Sequence, residues 1–165
     1  MKKTIAAISL FMAVAAVAAA GPQLAAADPA VQSASGSGRV HLGLPFRNFA
    51  FSATRHADGA VTGQAEVMRS DTGVRLHIEI DCLNVLGDLA VMSGVVTATN
   101  SPEVPVGVDE LFAVRDNGEG PNAPADEITL AFSGLGIACT NIPDPGLLAP
   151  FLFTIESGQI QVQQK

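Results

Sequence analysis

From Val74 to Cys82 the chain alternates without a fault. Val74, Leu76, Ile78, Ile80 and Cys82 are apolar, and Arg75, His77, Glu79 and Asp81 between them are charged or titratable. A strand turns successive side chains to opposite faces, so this run sets one face in a core and the other in water or against a polar cavity. Register tests the neighbouring segments against it. A three-residue loop Ala57-Asp58-Gly59, with Gly59 left-handed at no Cβ penalty, sets Phe51 opposite Ala65, Phe49 opposite Val67 and Ala53 opposite Gly63. Large residues then face small ones on one side. A two-residue Asp-Gly turn would set Phe51 against Glu66 instead. Across a four-residue loop at 70–73, Val67 meets Leu76, Ala65 meets Ile78, and Glu66 meets His77 on the opposite face. Strands at 48–56, 60–69 and 74–82 therefore share one apolar face, which a one-residue slip would destroy.

The same period runs on. Gly87-Asp88 turns 83–86 back onto 89–98, with Val85 against Ala90, and 110–115 and 128–132 read as further strands. Ser157-Gly158 reads as a hairpin turn pairing Ile155 with Ile160 and Phe153 with Val162. Residues 28–37, rich in Ser, Ala and Gly, read as a flexible lead-in to a domain at 38–165. No convincing helical stripe follows. The expectation is a single all-β domain of eight to ten strands, an antiparallel meander closed as a barrel or folded as a sandwich, with 74–82 central.

The first residues carry a different signal. Lys2 and Lys3 precede an apolar, Ala-rich run from Ile5 to Ala20, and Ala25-Ala26-Ala27 before Asp28 fits the small-residue rule for signal peptidase. Cleavage after Ala20 is the alternative site. A membrane anchor would need about 20 apolar residues, and this run ends in Gly21-Pro22. Residues 1–27 thus read as a signal peptide and the chain as exported, to the periplasm or the medium. Cleavage after Ala27 removes two of nine cationic residues and none of sixteen acidic ones, leaving a formal charge of −9. That balance argues against nucleic acid, where Lys and Arg must neutralise phosphate, and against anionic membrane surfaces.

The chain has two cysteines, Cys82 and Cys139. In an exported protein an isolated pair reads most simply as a disulfide. No C-x-x-C occurs and no His lies near either position, so thiol catalysis or a thiolate metal site lacks partners.

Two stretches could carry chemistry. On the glycine-rich segment 116–127, Asp116, Asn117, Glu119 and Asp126 offer four side-chain oxygen donors within eleven residues. Hard cations prefer such a set, so the metal suggested is calcium, bound weakly; the competing reading is a solvated loop whose Asp and Asn bond their own backbone. The second stretch is the polar face of 74–82, where His77 joins Glu66, Glu79 and Asp81 as the only grouping a hydrolase or other enzyme could use. A cross-strand ion pair in water is the plainer account. No G-x-S-x-G, H-E-x-x-H or phosphate-binding glycine loop is present. With neither Trp nor Tyr, a sugar-stacking groove is improbable. The expected function is an exported, non-catalytic binding or structural domain.

Finally, Phe49-Ala-Phe-Ser-Ala-Thr-Arg55-His56, Asp58-Gly59-Ala-Val61-Thr-Gly63-Gln64, the run from Val74 to Leu83 and Val114-Arg-Asp116-Asn117-Gly118-Glu119-Gly120 resemble a group of small exported bacterial proteins, the post-COAP-type domain. The resemblance spans about residues 38–132 and the final hairpin. It implies an exported all-β domain from a bacterium and brings no catalytic residues with it.

Overall fold

A computed structural model describes residues 30–41 and 45–165. The proposed signal segment 1–27 and its cleavage points lie outside them. The described residues form nine strands: β1 (Ala30–His41), β2 (Phe46–His56), β3 (Val61–Arg69), β4 (Arg75–Leu86), β5 (Leu89–Thr99), β6 (Asp109–Arg115), β7 (Glu127–Ile128), β8 (Phe132–Ser133) and β9 (Phe153–Gln164). All pairings are antiparallel. The order β5-β4-β3-β2-β1-β9-β7-β6 closes on itself through β5–β6 into an eight-stranded barrel, with β8 beside β6. Closure decides between barrel and sandwich, and it removes the open edge a sheet would present.

The central meander follows from the pattern of large against small. Phe49 lies opposite Val67, Phe51 opposite Ala65 and Ala53 opposite Gly63. Val67 faces Leu76, Ala65 faces Ile78 and Glu66 faces His77, and Val85 faces Ala90. The loop at 57–59 closes with the His56 amide donating to the Ala60 carbonyl at 2.8 Å. Inward residues of every strand except the short β8 fill the barrel, among them Phe49, Phe51, Ile78, Ile80, Met92, Phe112 and Ile160. Eight strands leave an interior about wide enough for side chains.

Residues 30–37 are not a lead-in but most of β1, paired with β2 on one side and β9 on the other. The reason lies in the partner strand. A Cβ at Gly38 would come within 3.1 Å of the Phe49 ring, and one at Gly36 within 3.0 Å of the Phe51 ring. The small residues of β1 are the room those two rings occupy.

The C-terminal hairpin does not form either. Residues 153–164 are one strand, β9, which runs along β1 with a register shift between Arg39 and Val40. Ser157 pairs with Arg39 and Ile155 with Val40, so Glu156 is the extra residue of a bulge, while Gly158, at φ +112°, pairs with Gly38 where a Cβ would meet the Ser37 carbonyl oxygen at 2.1 Å. A glycine read as a turn is a paired position inside a strand, where β1 passes too close for a side chain. The strand expected at 128–132 is interrupted as well, giving β7 and β8 two residues each.

A second bulge changes the parity of β4. Ile80 pairs with Gly94 and Cys82 with Ser93, so Asp81 is the extra residue. Leu76, Ile78 and Ile80 point inward as the alternation requires, but Cys82 points outward, and Leu83 and Val85 take the inward places. On the outer face Cys82 meets Cys139 in a disulfide, with Cα atoms 5.8 Å apart. Together with Val91, Leu111, Ala113 and Ile142 the bridge forms a small second core. This core holds residues 134–152, which contain two 3-10 turns at Cys139–Asn141 and Pro145–Phe151, against the barrel wall. No helix among the described residues is long and apolar enough to cross a membrane.

Candidate functional site

The barrel brings together the four oxygen donors of the acidic loop, but it employs them. Asp126 accepts from the Asn117 amide at 2.8 Å through Oδ1 and from the Ile160 amide at 2.7 Å through Oδ2. Asp116 accepts from Gly118 at 2.8 Å and from Val162 at 3.0 Å. Asn117 donates its side-chain amide to the Ala125 carbonyl at 2.7 Å, and Glu119 accepts from Gln159 and Gln161, both at 2.8 Å. Past Thr154, β9 has no strand on this side, because β7 pairs with it at two positions and stops. Asp126 and Asp116 therefore take the N–H groups of Ile160 and Val162 that a neighbouring strand would have taken. An unpaired buried N–H is costly, which gives the loop a structural task. Among the described residues no group of three His, Cys, Asp or Glu side chains is arranged to hold a metal ion.

The polar strip lies on the outside of the barrel. Glu66, His77, Glu79 and Asp81 are all exposed on the outer wall of β3 and β4. Glu66 and His77 are direct cross-strand partners, yet no hydrogen bond or ion pair among the described residues joins them. Glu66 and His77 line two open depressions of about 230 and 360 Å³ on this surface, but Glu79 and Asp81 line neither, so the four groups do not converge in one shielded cleft of the kind general acid–base work needs.

The barrel mouth is different. At the end where β2, β4 and β6 begin, a cavity of about 130 Å³ is lined by Val67, Val74, Leu76, Val104 and Ala131, with Arg47, Arg69, Ser101, Glu103 and Ser133. Adjoining it is a partly open void of about 30 Å³, lined by Val40, Phe49, Phe51 and Phe112 and by the exposed Glu66, and sharing Arg47, Val67 and Ala131 with the mouth. Arg47 and Arg69 are direct partners across β2 and β3, and both face the mouth. Asp71 engages Arg69 at 2.9 Å and 3.3 Å, and this bond holds the Asp71 carboxyl below its ordinary range. Arg47 has no such partner among the described residues. Burial, and next the charge of Arg69, pull its guanidinium below the ordinary arginine range, with Asp71 acting in the opposite sense.

Behind Ser133 sits Glu110, fully buried. Ser133 donates its hydroxyl to one carboxyl oxygen at 2.6 Å, and the other has no hydrogen-bond partner among the described residues. Burial pushes this carboxyl above the usual carboxylate range; the Ser133 hydrogen bond offsets part of that, and Asp109 adds to it.

Comparison with known proteins finds no matching family model, no matching curated protein and no matching solved structure. The site stands on its own geometry.

None of Arg47, Arg69, Glu110 and Ser133 was singled out by motif. The alternation nonetheless marks three of them. Arg47 is two residues before Phe49, Arg69 two after Val67 and Glu110 two before Phe112, so each falls on the inward parity at a strand end. Inward charge at the rim of a barrel is the signal that would have found them.

Proposed function

We propose that this chain is an exported, non-catalytic β-barrel binding module, akin to the post-COAP-type proteins it resembles, that takes a small ligand at its mouth. One observation carries the reading. At the mouth an apolar cavity coincides with inward-facing charge taken partly out of water, and binding sites characteristically combine such a cavity with a few placed polar groups. The outer wall supports the same reading, because its four titratable residues are solvated and share no single depression.

The test is a small-molecule screen monitored by amide chemical shifts of the disulfide-bonded protein. The expected result is a set of hits whose shifts cluster on Val67, Leu76, Ser101 and Ser133. Hits confined to the strip around His77, with turnover of an ester or glycoside lost in His77→Ala, would overturn the reading in favour of a hydrolase.

A further inference from the structure

Resting on that binding reading, we infer that the mouth recognises a short aliphatic monocarboxylate, its carboxylate held by Arg47 and its alkyl chain lodged against Val67 and the void beside Phe49. The first ground is the state of Arg47. A guanidinium carries five N–H donors in a planar fork that matches a carboxylate two bonds at a time. Here that fork faces a cavity, is half-buried, and has no acceptor within hydrogen-bonding distance among the described residues. Like charges set directly opposite on a strand pair destabilise it, yet β2 and β3 place Arg47 opposite Arg69. Asp71 occupies Arg69 alone. A ligand anion would supply the missing acceptor and relieve the repulsion at once.

The second ground is the shape and lining of the space. Val67, Val74, Leu76 and Val104 form an apolar stretch of the cavity wall that suits an alkyl chain, while Arg47, Arg69, Ser101, Glu103 and Ser133 supply its polar groups. Arg47 and Val67 line both the mouth and the adjoining void, so the chain has one direction to run, past Val67. The void is small, about 30 Å³, and the rings beyond it are packed. Space ends there, and so a short chain fits and a long one does not. Two acids lie near the mouth, Glu103 in its lining and Glu110 behind Ser133, and burial favours the neutral form of Glu110.

The test titrates the intact, disulfide-bonded protein with hexanoate, 1-hexanol and hexylamine, following amide shifts and heat. Hexanoate is expected to shift Val67, Leu76 and Ser133 and to bind at least tenfold more tightly than hexanol. Arg47→Gln should weaken hexanoate at least tenfold while raising the melting temperature of the free protein, because a desolvated charge facing another charge has gone. That rise separates loss of binding from loss of fold. Arg47→Lys keeps the charge without the fork and should fall between. Equal binding of hexanoate by wild type and Arg47→Gln would overturn the carboxylate assignment. Binding of hexanol or hexylamine at the mouth in preference to hexanoate would do the same but leave the binding module standing. Failure of all three probes to move any mouth amide would remove both.

Discussion

The meander from β2 to β5 and the return from Asp116 to Gln164 build the same barrel by different means. The meander is held by backbone ladders: β2–β3 pair over nine successive positions, and each connection there is two to five residues long. In the return, β7 and β8 contribute two residues each. What the ladder lacks there, side chains supply: two aspartates bond the open edge of β9, and a disulfide fastens residues 134–152 to the outer wall. Backbone pairing spreads its stability over many weak contributions, whereas side-chain fastenings concentrate it in a few residues. Single substitutions should therefore cost far more in the return than in the meander.

The largest contrast comes from the bridge. Cys82 and Cys139 are separated by 57 positions, and opening a loop of that size is worth ~4 kcal/mol in the chain-entropy model. Replacing both with Ala should lower the denaturant midpoint accordingly and leave the β-type circular dichroism spectrum in place. A loss under about 1 kcal/mol would mean that the second core holds residues 134–152 without its bridge.

Next stands Asp126. Its carboxylate serves Asn117 and the buried Ile160 amide, and leaving a buried donor unsatisfied costs about 1–3 kcal/mol. Asp126→Ala should thus destabilise by about 2–4 kcal/mol in total, with hydrogen exchange accelerating first at Ile160. The matched change in the meander is Asp71→Ala, which removes a partner of Arg69 at a turn; water screens an exposed pair of this kind, so the denaturant midpoint should hardly move. Similar losses from both substitutions, measured by denaturant melts, would break the contrast between the two regions.

Glu110 sharpens it by pH. Its carboxyl is held above the ordinary range by burial, so the folded state binds the proton more tightly than the unfolded state. Stability is then greatest below the unfolded value of about 4.3 and is lost as pH rises through the folded value. Glu110→Gln should abolish this contribution. Melting temperature followed from pH 4 to pH 8 checks it: the wild type should lose stability relative to the variant as pH rises, and parallel curves would refute the assignment.

The meander was legible because its constraints are local. Phe51 meets Ala65 and Val67 meets Leu76 for reasons contained in a few neighbouring residues and one turn. The return was not, because its constraints are distant. Gly158 reads as a turn until Ser37 and Gly38 are known to lie against it. The small residues of β1 read as a linker until Phe49 and Phe51 are placed over them. The outward turn of Cys82 depends on the bulge at Asp81, which no alternation could announce. Its pairing with Cys139 was still readable, since a chain with two cysteines offers no other partner within itself. The mouth was half legible: parity marks Arg47, Arg69 and Glu110 as inward, but only closure of the barrel collects them at one rim.

The smallest expected effect belongs to the loop that looked most like a metal site. Composition alone puts Asp116, Asn117, Glu119 and Asp126 within reach of a calcium ion, and a weak extracellular site would have a dissociation constant of about 10⁻⁴–10⁻³ M. Saturating such a site tenfold would stabilise by ~1.4 kcal/mol, enough to see in a melt. Yet four backbone N–H groups, those of Asn117, Gly118, Ile160 and Val162, already lie 2.7 to 3.0 Å from the two aspartates. To bind there, the ion would compete with donors that fasten the edge of β9, and two of the carboxylates would exchange one role for the other. The melting temperature should accordingly be the same in EDTA and in several millimolar calcium, while Asp116→Ala lowers it equally in both. A rise in calcium that Asp116→Ala abolishes would show the loop to be an ion site, and would reassign its aspartates from closing the barrel to holding a ligand.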